Sequence, residues 1–384
     1  MAYYLLLGLY MTPSVVISGS GLWKPSHSIS NEELVVAYNG YAEQFNQLNQ
    51  SAIENGELTA KPSSSAAFIE KASGIRSRYA YVKEGILDIN RMRPNIPERS
   101  ENELSDQAEM AIYAAKDALN AANKTPEDID VVIVSCAYTQ RSYPALAIEV
   151  QGALGIKGFA FDMLVACSAA TFALHRAYEM IAAGTAKSVL VINPELTSPQ
   201  VNYCDRDSHF IFGDVATAMV VESSSTADSE HIFEILSTKA VTQYSNNIRS
   251  NFGYVSRAND SDPFAADKLF HQEGRKVFKE VCPMAVEHIT EHLARHQLTS
   301  DNITRWWLHQ ANINMNTLIS RKLLNRQPSL EEAPIVLDTF ANTASAGSII
   351  AFYQHNKDLK TGDIGLLCSF GAGYSIGSLI LQKK

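Results

Sequence analysis

Two stretches decide the fold: FAFDMLVACSAATFAL at 159–174 and PIVLDTFANTASAGSI at 334–349. Each runs from an apolar segment into a run of small residues. In the first, a strand pattern ends where Cys167 opens an Ala-rich helix. In the second, Asn342 stands at the same point and is predicted to open a helix of Ala, Ser and Gly. Cys167 lies 21 residues before Ser188, where the strand run SVLVIN starts, and Asn342 lies 21 before Asp363, ahead of the run GLLCSF. The chain therefore reads as a duplication.

The flanking patterns repeat in the same order. A helix predicted at 103–123 precedes the strand DVVIVS at 130–135, and FIFGDVATAMVVE follows at 210–222. In the second half a helix at 274–296 precedes RWWLHQA at 305–311, and the strands GDIGLLCSF (362–370) and YSIGSLIL (374–381) close the chain. Continuous apolar strands alternating with amphipathic helices belong to sheets covered on both faces. Two such α/β units back to back give a five-layer αβαβα body. The helices from Cys167 and Asn342 would form its middle layer, where only small side chains fit. The expected boundary separates residues 13–230, carrying the cysteine, from 231–384, carrying His309 and Asn342.

Bulk composition narrows the function classes. The 384 residues are 46% hydrophobic and 19% charged, as in an ordinary folded protein with a large core. A net charge of −9 argues against nucleic acid as a partner. No apolar run reaches the roughly 18 residues of a membrane span. The opening MAYYLLLGLYM has no basic start or small-residue cleavage site, so it reads as a start-site extension ahead of Met11 rather than a signal peptide. Five cysteines without a CxxC pair indicate a reducing compartment, hence the cytoplasm. Most of Cys136, Cys204, Cys282 and Cys368 read as small core residues. Outside the repeat, 38–65 reads as an inserted helix plus loop, Pro94 and Pro97 punctuate 83–100, and the polar run 244–263 reads as a surface loop.

The chemistry lies in three phrases: VACSAATFAL, WLHQANIN and ANTASAGSI. A thiol at a helix start is expected to have its pKa lowered and to attack a thioester. His309 follows an apolar strand at its carboxyl end, where α/β sites lie. Asn342 at a helix start can be a cap and also a donor. A neutral imidazole and an amide together can hold an enolate formed by loss of CO2, with no metal. The Gly-rich SFGAGYSIGS lets backbone approach a substrate, so N–H groups of Ala372 or Gly373 could join that of Cys167 in an oxyanion hole. His288 and His292 stand at i and i+4, but beside Glu287 and Glu291 they read as a solvated helix face, not a metal site.

As a set, SGIRSRY (73–79), YPALAIEVQGALGIKG (143–158), DMLVACSAATFAL, IFGDVATAMVV, HQAN, ANTASAGS and FGAGYSIGS resemble 3-oxoacyl-[acyl-carrier-protein] synthase III, a thiolase-like condensing enzyme. The resemblance runs from about Val15 to Leu381. It implies that Cys167 accepts the primer acyl group and that His309 and Asn342 drive decarboxylation of malonyl-acyl carrier protein (malonyl-ACP). It also implies a homodimer, a pantetheine tunnel, no cofactor, and acyl carrier protein as partner. Tyr143 matches the position at which a partner subunit closes the acyl pocket. Phe68 and Ala72 match the Trp and Arg that flank a CoA adenine, while Arg206 matches the other adenine-side arginine. Arg321 and Lys322, extended by Arg326, match a basic carrier-protein docking helix. Asn314 departs from an arginine of the family pattern.

Other condensing and acyl-transfer classes fit less well. A degradative thiolase needs a second cysteine where Ser369 stands, and Cys368 is expected to point the other way by strand alternation. A plant-type polyketide synthase carries GFGPG in place of FGAGYS. A secondary-metabolite relative of the same branch, a silent carrier-binding subunit and a cysteine hydrolase remain open at this stage.

Overall fold

A computed structural model describes residues 14–250, 260, 262 and 265–384. The MAYYLLLGLYM segment and most of the polar run 244–263, from 251 on, lie outside the described residues.

The first half contains β1 (Val15–Trp23), β2 (His27–Ser30), α1 (Asn31–Leu48), α2 (Gln50–Glu54), α3 (Ala66–Ser73) and β3 (Ser77–Ala80). It continues through α4 (Asp106–Ala121), β4 (Val131–Cys136), α5 (Leu146–Leu154), β5 (Phe159–Leu164), α6 (Ala169–Ala182), β6 (Ser188–Glu195) and β7 (Val215–Ser223). The second half contains β8 (Phe233–Ser245), β9 (Ile248–Arg249), β10 (His271–Gln272), α7 (Gly274–Arg295), β11 (Arg305–Leu308) and α8 (Ile313–Leu324). It ends with α9 (Leu337–Phe340), α10 (Ala346–Gln354), β12 (Ile364–Gly371) and β13 (Gly373–Lys383).

Strand order shows the duplication. One side reads β5-β4-β6-β7-β1 and the other β11-β12-β13-β8. β4 and β6 are parallel, as are β11 and β12; β7 and β13 then run antiparallel to β6 and β12. The two sheets meet where β1 pairs β8, through Val16↔Glu234 and Ile17↔Phe233. β1 thus corresponds to β8, β4 to β11, β6 to β12 and β7 to β13. PIVLDTFAN breaks the correspondence. It stands where FAFDMLVAC forms β5, but gives only the single turn α9.

Packing gives the five layers. α4 and α5 bury Met110, Leu119, Leu146 and Val150 on the outer face of the first sheet. α7 and α8 bury Val281, Ile289 and Ile319 on the outer face of the second. Between the sheets lie α6 and α10, with Ala170, Ala173, Ala177, Ile349 and Ile350 packed against Val191, Leu367 and Leu379 from the two halves. Alanines along α6 let both sheets come close, as expected from the small-residue runs. The helix predicted at 103–123 is α4, started by Ser105, whose hydroxyl accepts from Ala108 N–H at 3.3 Å.

Three expectations are corrected. The strand read over 210–222 begins only at Val215. Its first part is bent by Asp214, whose carboxylate accepts from Tyr81, Thr197 and Ser198 N–H groups. His288 and His292 are buried rather than solvated, at 3% and 1% exposure. His288 Nε2 and His292 Nδ1 share the Ser378 hydroxyl at 2.8 and 2.7 Å, and His292 Nε2 meets Ser237 Oγ at 3.0 Å. Serines on β13 and β8 satisfy the rings, and burial lowers their pKa values to about 4 and about 3. Finally, the polar run 244–263 starts as strand rather than loop, ending β8 at Ser245 and forming β9 at Ile248–Arg249. Cys136, Cys282 and Cys368 are buried and Cys204 is half-buried, in line with most of them being core residues; all five cysteines are free.

The segment at 38–65 has a definite place. α1 carries it outward, and two asparagines pin its return. Asn39 exchanges two hydrogen bonds with the Ser64 backbone at 2.8 and 3.1 Å, and Asn46 two with Lys61 at 2.8 and 2.9 Å.

Candidate active site

Cys167 sits in a single 3₁₀ turn, Ala166–Ser168, between β5 and α6. Ala166 before it has φ +44°. This left-handed conformation is costly for a residue with a Cβ and turns the thiol out of the strand line. Gly371, at the end of β12 in the other half, lies against the thiol. A Cβ there would be 2.5 Å from Cys167 Cβ and 3.0 Å from Sγ, so no other residue fits. The N–H groups of Ala372 and of Cys167 itself donate toward the sulfur and lower its pKa. Desolvation, reinforced by the Glu195 carboxyl, outweighs them and pushes the thiol up to about 12. The expectation of a lowered pKa is therefore overturned. One 3₁₀ turn supplies less stabilisation than burial removes, so the resting group is a thiol.

His309 is the residue after β11, 2% exposed. Its ring meets Phe370 of β12 edge-on at 5.2 Å between centroids. Burial alone lowers its pKa to about 4, so the imidazole is neutral near neutral pH. His309 Nδ1 has no hydrogen-bond partner among the described residues. Phe370, Gly371 and Ala372 thus join the cysteine and histidine sites at one strand end.

Asn342 lies four residues before α10, not at its start; Ser345 holds the cap position. Asn342 N–H donates to Ile211 at 3.0 Å and its carbonyl accepts from Gly213 N–H at 3.1 Å. Its side-chain oxygen accepts from Ala344 N–H at 3.0 Å. The oxygen being committed, the amide NH2 is left as the donor. The preceding Gln310, wholly buried, accepts from Val336 N–H at 3.0 Å and donates to Pro334 at 3.2 Å, fixing the approach to this turn.

A cavity of about 290 Å³ reaches Asn342. It is lined by Phe68 and the exposed Asp207 toward the surface, and by Ile211, Met315 and Asn342 within. The Arg206 guanidinium lies 3.7 Å above the Phe68 ring, and its Nε donates to Ser63 carbonyl at 2.8 Å. The pinned 55–65 segment therefore holds this stack beside the cavity. Ala72 lines the cavity, and its carbonyl accepts from Asn312 at 2.8 Å. Gly373, φ +135°, pairs with Ser245 on β8. Tyr143 is away from this cavity, 85% exposed. Arg321 and Lys322 are exposed on the last turn of α8, whereas Arg326 pairs with Glu332, donating at 2.8 Å.

Family models for 3-oxoacyl-[acyl-carrier-protein] synthase III match residues 161–242, and for its C-terminal region residues 293–383. A beta-ketodecanoyl-[acyl-carrier-protein] synthase of Pseudomonas aeruginosa is 55% identical over 90% of this chain and 99% of its own. A beta-ketoacyl-[acyl-carrier-protein] synthase III of Rhizobium meliloti is 30% identical over 87% of this chain and 96% of its own. The chain belongs to the 3-oxoacyl-[acyl-carrier-protein] synthase III family. The crystal structure of the Aquifex aeolicus member superposes with a TM-score of 0.74 at 25% identity, covering 96% of this chain and 99% of that one.

As a synthase III, the protein is an acyltransferase that condenses an acyl thioester primer with malonyl-ACP to a 3-oxoacyl-ACP. Acyl carrier protein is its substrate partner. Cys368 of this synthase points into the outer core with Phe370, while Ser369 turns inward to Ser348 Oγ at 2.7 Å. The thiol that a degradative thiolase places at 369 is thus a serine sealed in the middle layer. Among the described residues no helix is long and apolar enough to cross a membrane.

Sequence reasoning overlooked Glu195 and Gln310. Glu195 is a wholly buried carboxyl ending the apolar run SVLVINPE. An acidic residue closing such a run is the signal that could have found it, since unpaired carboxyls are rarely buried.

Proposed function

We propose that this synthase elongates an eight-carbon primer, using Cys167 for acyl transfer and His309 with Asn342 for decarboxylation. The similarity to the P. aeruginosa enzyme carries this reading: a β-ketodecanoyl product has ten carbons, of which malonate contributes two.

The Cys167 sulfur attacks the primer carbonyl, and the carrier thiol leaves with the proton. The N–H groups of Cys167 and Ala372 receive the carbonyl oxygen. Malonyl-ACP then loses CO2, and the released electron pair moves onto the thioester oxygen. Neutral His309 and the Asn342 amide hold that enolate. Its carbon attacks the acyl carbonyl, the new C–C bond forms, and the Cys167 sulfur departs as a thiolate that takes up one proton from solvent to restore the thiol. Protein groups perform every step, so no cofactor is required.

The assembly follows from the open sheet edge. β5 pairs only with β4 among the described strands, and Phe159 and Leu164 on it are exposed at 45% and 55%. An uncovered apolar edge strand invites pairing with a second copy. Tyr143, in the loop before α5, stands beside that edge, because Leu146 and Ala147 N–H groups donate to Asp162 of β5 at 2.8 Å. In a homodimer Tyr143 would close the partner's acyl pocket. Arg321 and Lys322, with Arg326 less because of its ion pair, would dock the acidic carrier. The two halves, 13–230 and 231–384, act as one catalytic unit in the cytoplasm.

A panel of acyl-CoA and acyl-ACP donors from two to twelve carbons, with malonyl-ACP, tests this by product mass. The expected optimum is eight carbons, with one acyl group added at Cys167. No adduct with any donor would end the reading; an optimum at two carbons would end the chain-length claim alone.

A further inference from the structure

Glu195 has no part in the scheme above, yet it links both halves at the site. It ends β6 and is wholly buried. One carboxylate oxygen accepts from Ala137 N–H at 3.1 Å, just beyond β4. The other accepts from Ser345 N–H at 3.1 Å and from the Ser345 hydroxyl. A carboxylate of the first half therefore caps α10 of the second, three residues after Asn342.

That turn needs holding. Ala341 has φ +59° and Ala344 φ +46°, on either side of Asn342. Two left-handed alanines within four residues are strained and persist only where the surroundings impose them. Ile211 and Gly213 restrain the turn through backbone alone. Among the described residues Glu195 is the side chain of the first half that bonds to it. The burial costs the carboxyl more than its three donors and the N-terminus of α10 return.

We propose that Glu195 is a positioning residue, which imposes the strained turn from the opposite half and thereby aims the Asn342 amide at the enolate oxygen. The inference rests on the role assigned to Asn342. Glu195 acts through Ser345 and touches no reacting atom.

The test separates the two chemical steps in Glu195→Ala, Glu195→Gln and Ser345→Ala. Acylation of Cys167 is followed by mass in single turnover, and malonyl-ACP decarboxylation by CO2 release. Glu195→Ala is expected to lower kcat for decarboxylation about tenfold or more, with KM within about twofold, while acylation, which gains from loss of the carboxyl that raises the Cys167 thiol, falls by no more than about threefold. Glu195→Gln keeps an acceptor for Ser345 and should recover decarboxylation to within about threefold of wild type. If Glu195→Ala does not fold, Ser345→Ala, which removes only the hydroxyl bond, should show the same split at smaller size. Equal losses in both steps, or none in decarboxylation, would overturn the proposal. Failure of the wild type to acylate Cys167 would instead overturn the proposed function.

Discussion

The turn carrying Cys167 and the turn carrying Asn342 occupy matching places in the duplicated fold but are secured by opposite means. Each of these two residues follows a left-handed alanine, Ala166 at φ +44° and Ala341 at φ +59°. Each turn is met by the strand end of the other half. At Cys167 that strand end is Gly371, where a side chain is deleted so that backbone can crowd the sulfur. At Asn342 it is Glu195, where a long charged side chain is added and reaches the turn. In its proposed role as nucleophile, the Cys167 thiol needs free space and N–H donors around it. The amide needs its direction fixed. Duplication supplied one scaffold, and under the proposed roles two different contacts fit it to the two steps.

Breaking the comparison should therefore separate the steps. The largest effect is expected for Cys167→Ala, which removes condensation and the acyl adduct while malonyl-ACP still releases CO2; an adduct surviving at another residue would contradict the assignment. Next, Asn342→Ala should slow decarboxylation about 100-fold while Cys167 still acylates within a few-fold. Parallel loss of both steps would erase the distinction between the turns. Gly371→Ala should be the mirror image, slowing acylation about tenfold or more because the new methyl crowds the sulfur; mass kinetics of adduct formation reads this directly.

A smaller effect concerns stability. Burial raises the Glu195 carboxyl to about 7, above its ordinary 4.5, and the hydrogen bonds from Ser345 and Ala137 only partly offset this. In that window the folded state binds the extra proton, so the group's contribution is full below about pH 4.5 and lost as pH rises to about 7. Glu195→Gln does not titrate. Its stability relative to wild type should rise across that window by at most about 3 kcal/mol, readable from denaturant midpoints at pH 5 and pH 8. The neighbouring Cys136 and Cys167 thiols stay neutral throughout. A difference independent of pH would show that Glu195 is already ionised without cost. The smallest effect lies at the surface. Arg321→Glu with Lys322→Glu should raise KM for malonyl-ACP about three- to tenfold at low salt, less at high salt, and leave kcat alone. The same change at Arg326 should do less, because its charge is already paired with Glu332.

The duplicated order of helices and strands was legible because burial on both faces writes unbroken apolar runs, and a sandwiched helix demands small residues. Cys167 and Asn342 were legible as candidates because each sits in a phrase of small residues, and His309 because it closes an apolar strand. The exact helix start near Asn342 was not, since Ser345 competes for the cap and wins by bonding a carboxylate that is 150 residues away. Nor was the burial of His288 and His292. Their partners, Ser378 and Ser237, lie on strands of the second half whose register a helix pattern does not reveal. The resting protonation of Cys167 was misread for the same reason, because local dipoles are visible in sequence and desolvation is not.

Local chemistry along the chain determined which segments are strands and helices, that the unit occurs twice, and which residues can react. Tertiary structure alone decided how far burial shifts those residues, which strand end closes on which turn, and that Glu195 reaches the Asn342 turn through Ser345. Those outcomes depend on distances between residues far apart in sequence, and electrostatic energies and steric fit are set by distance in space.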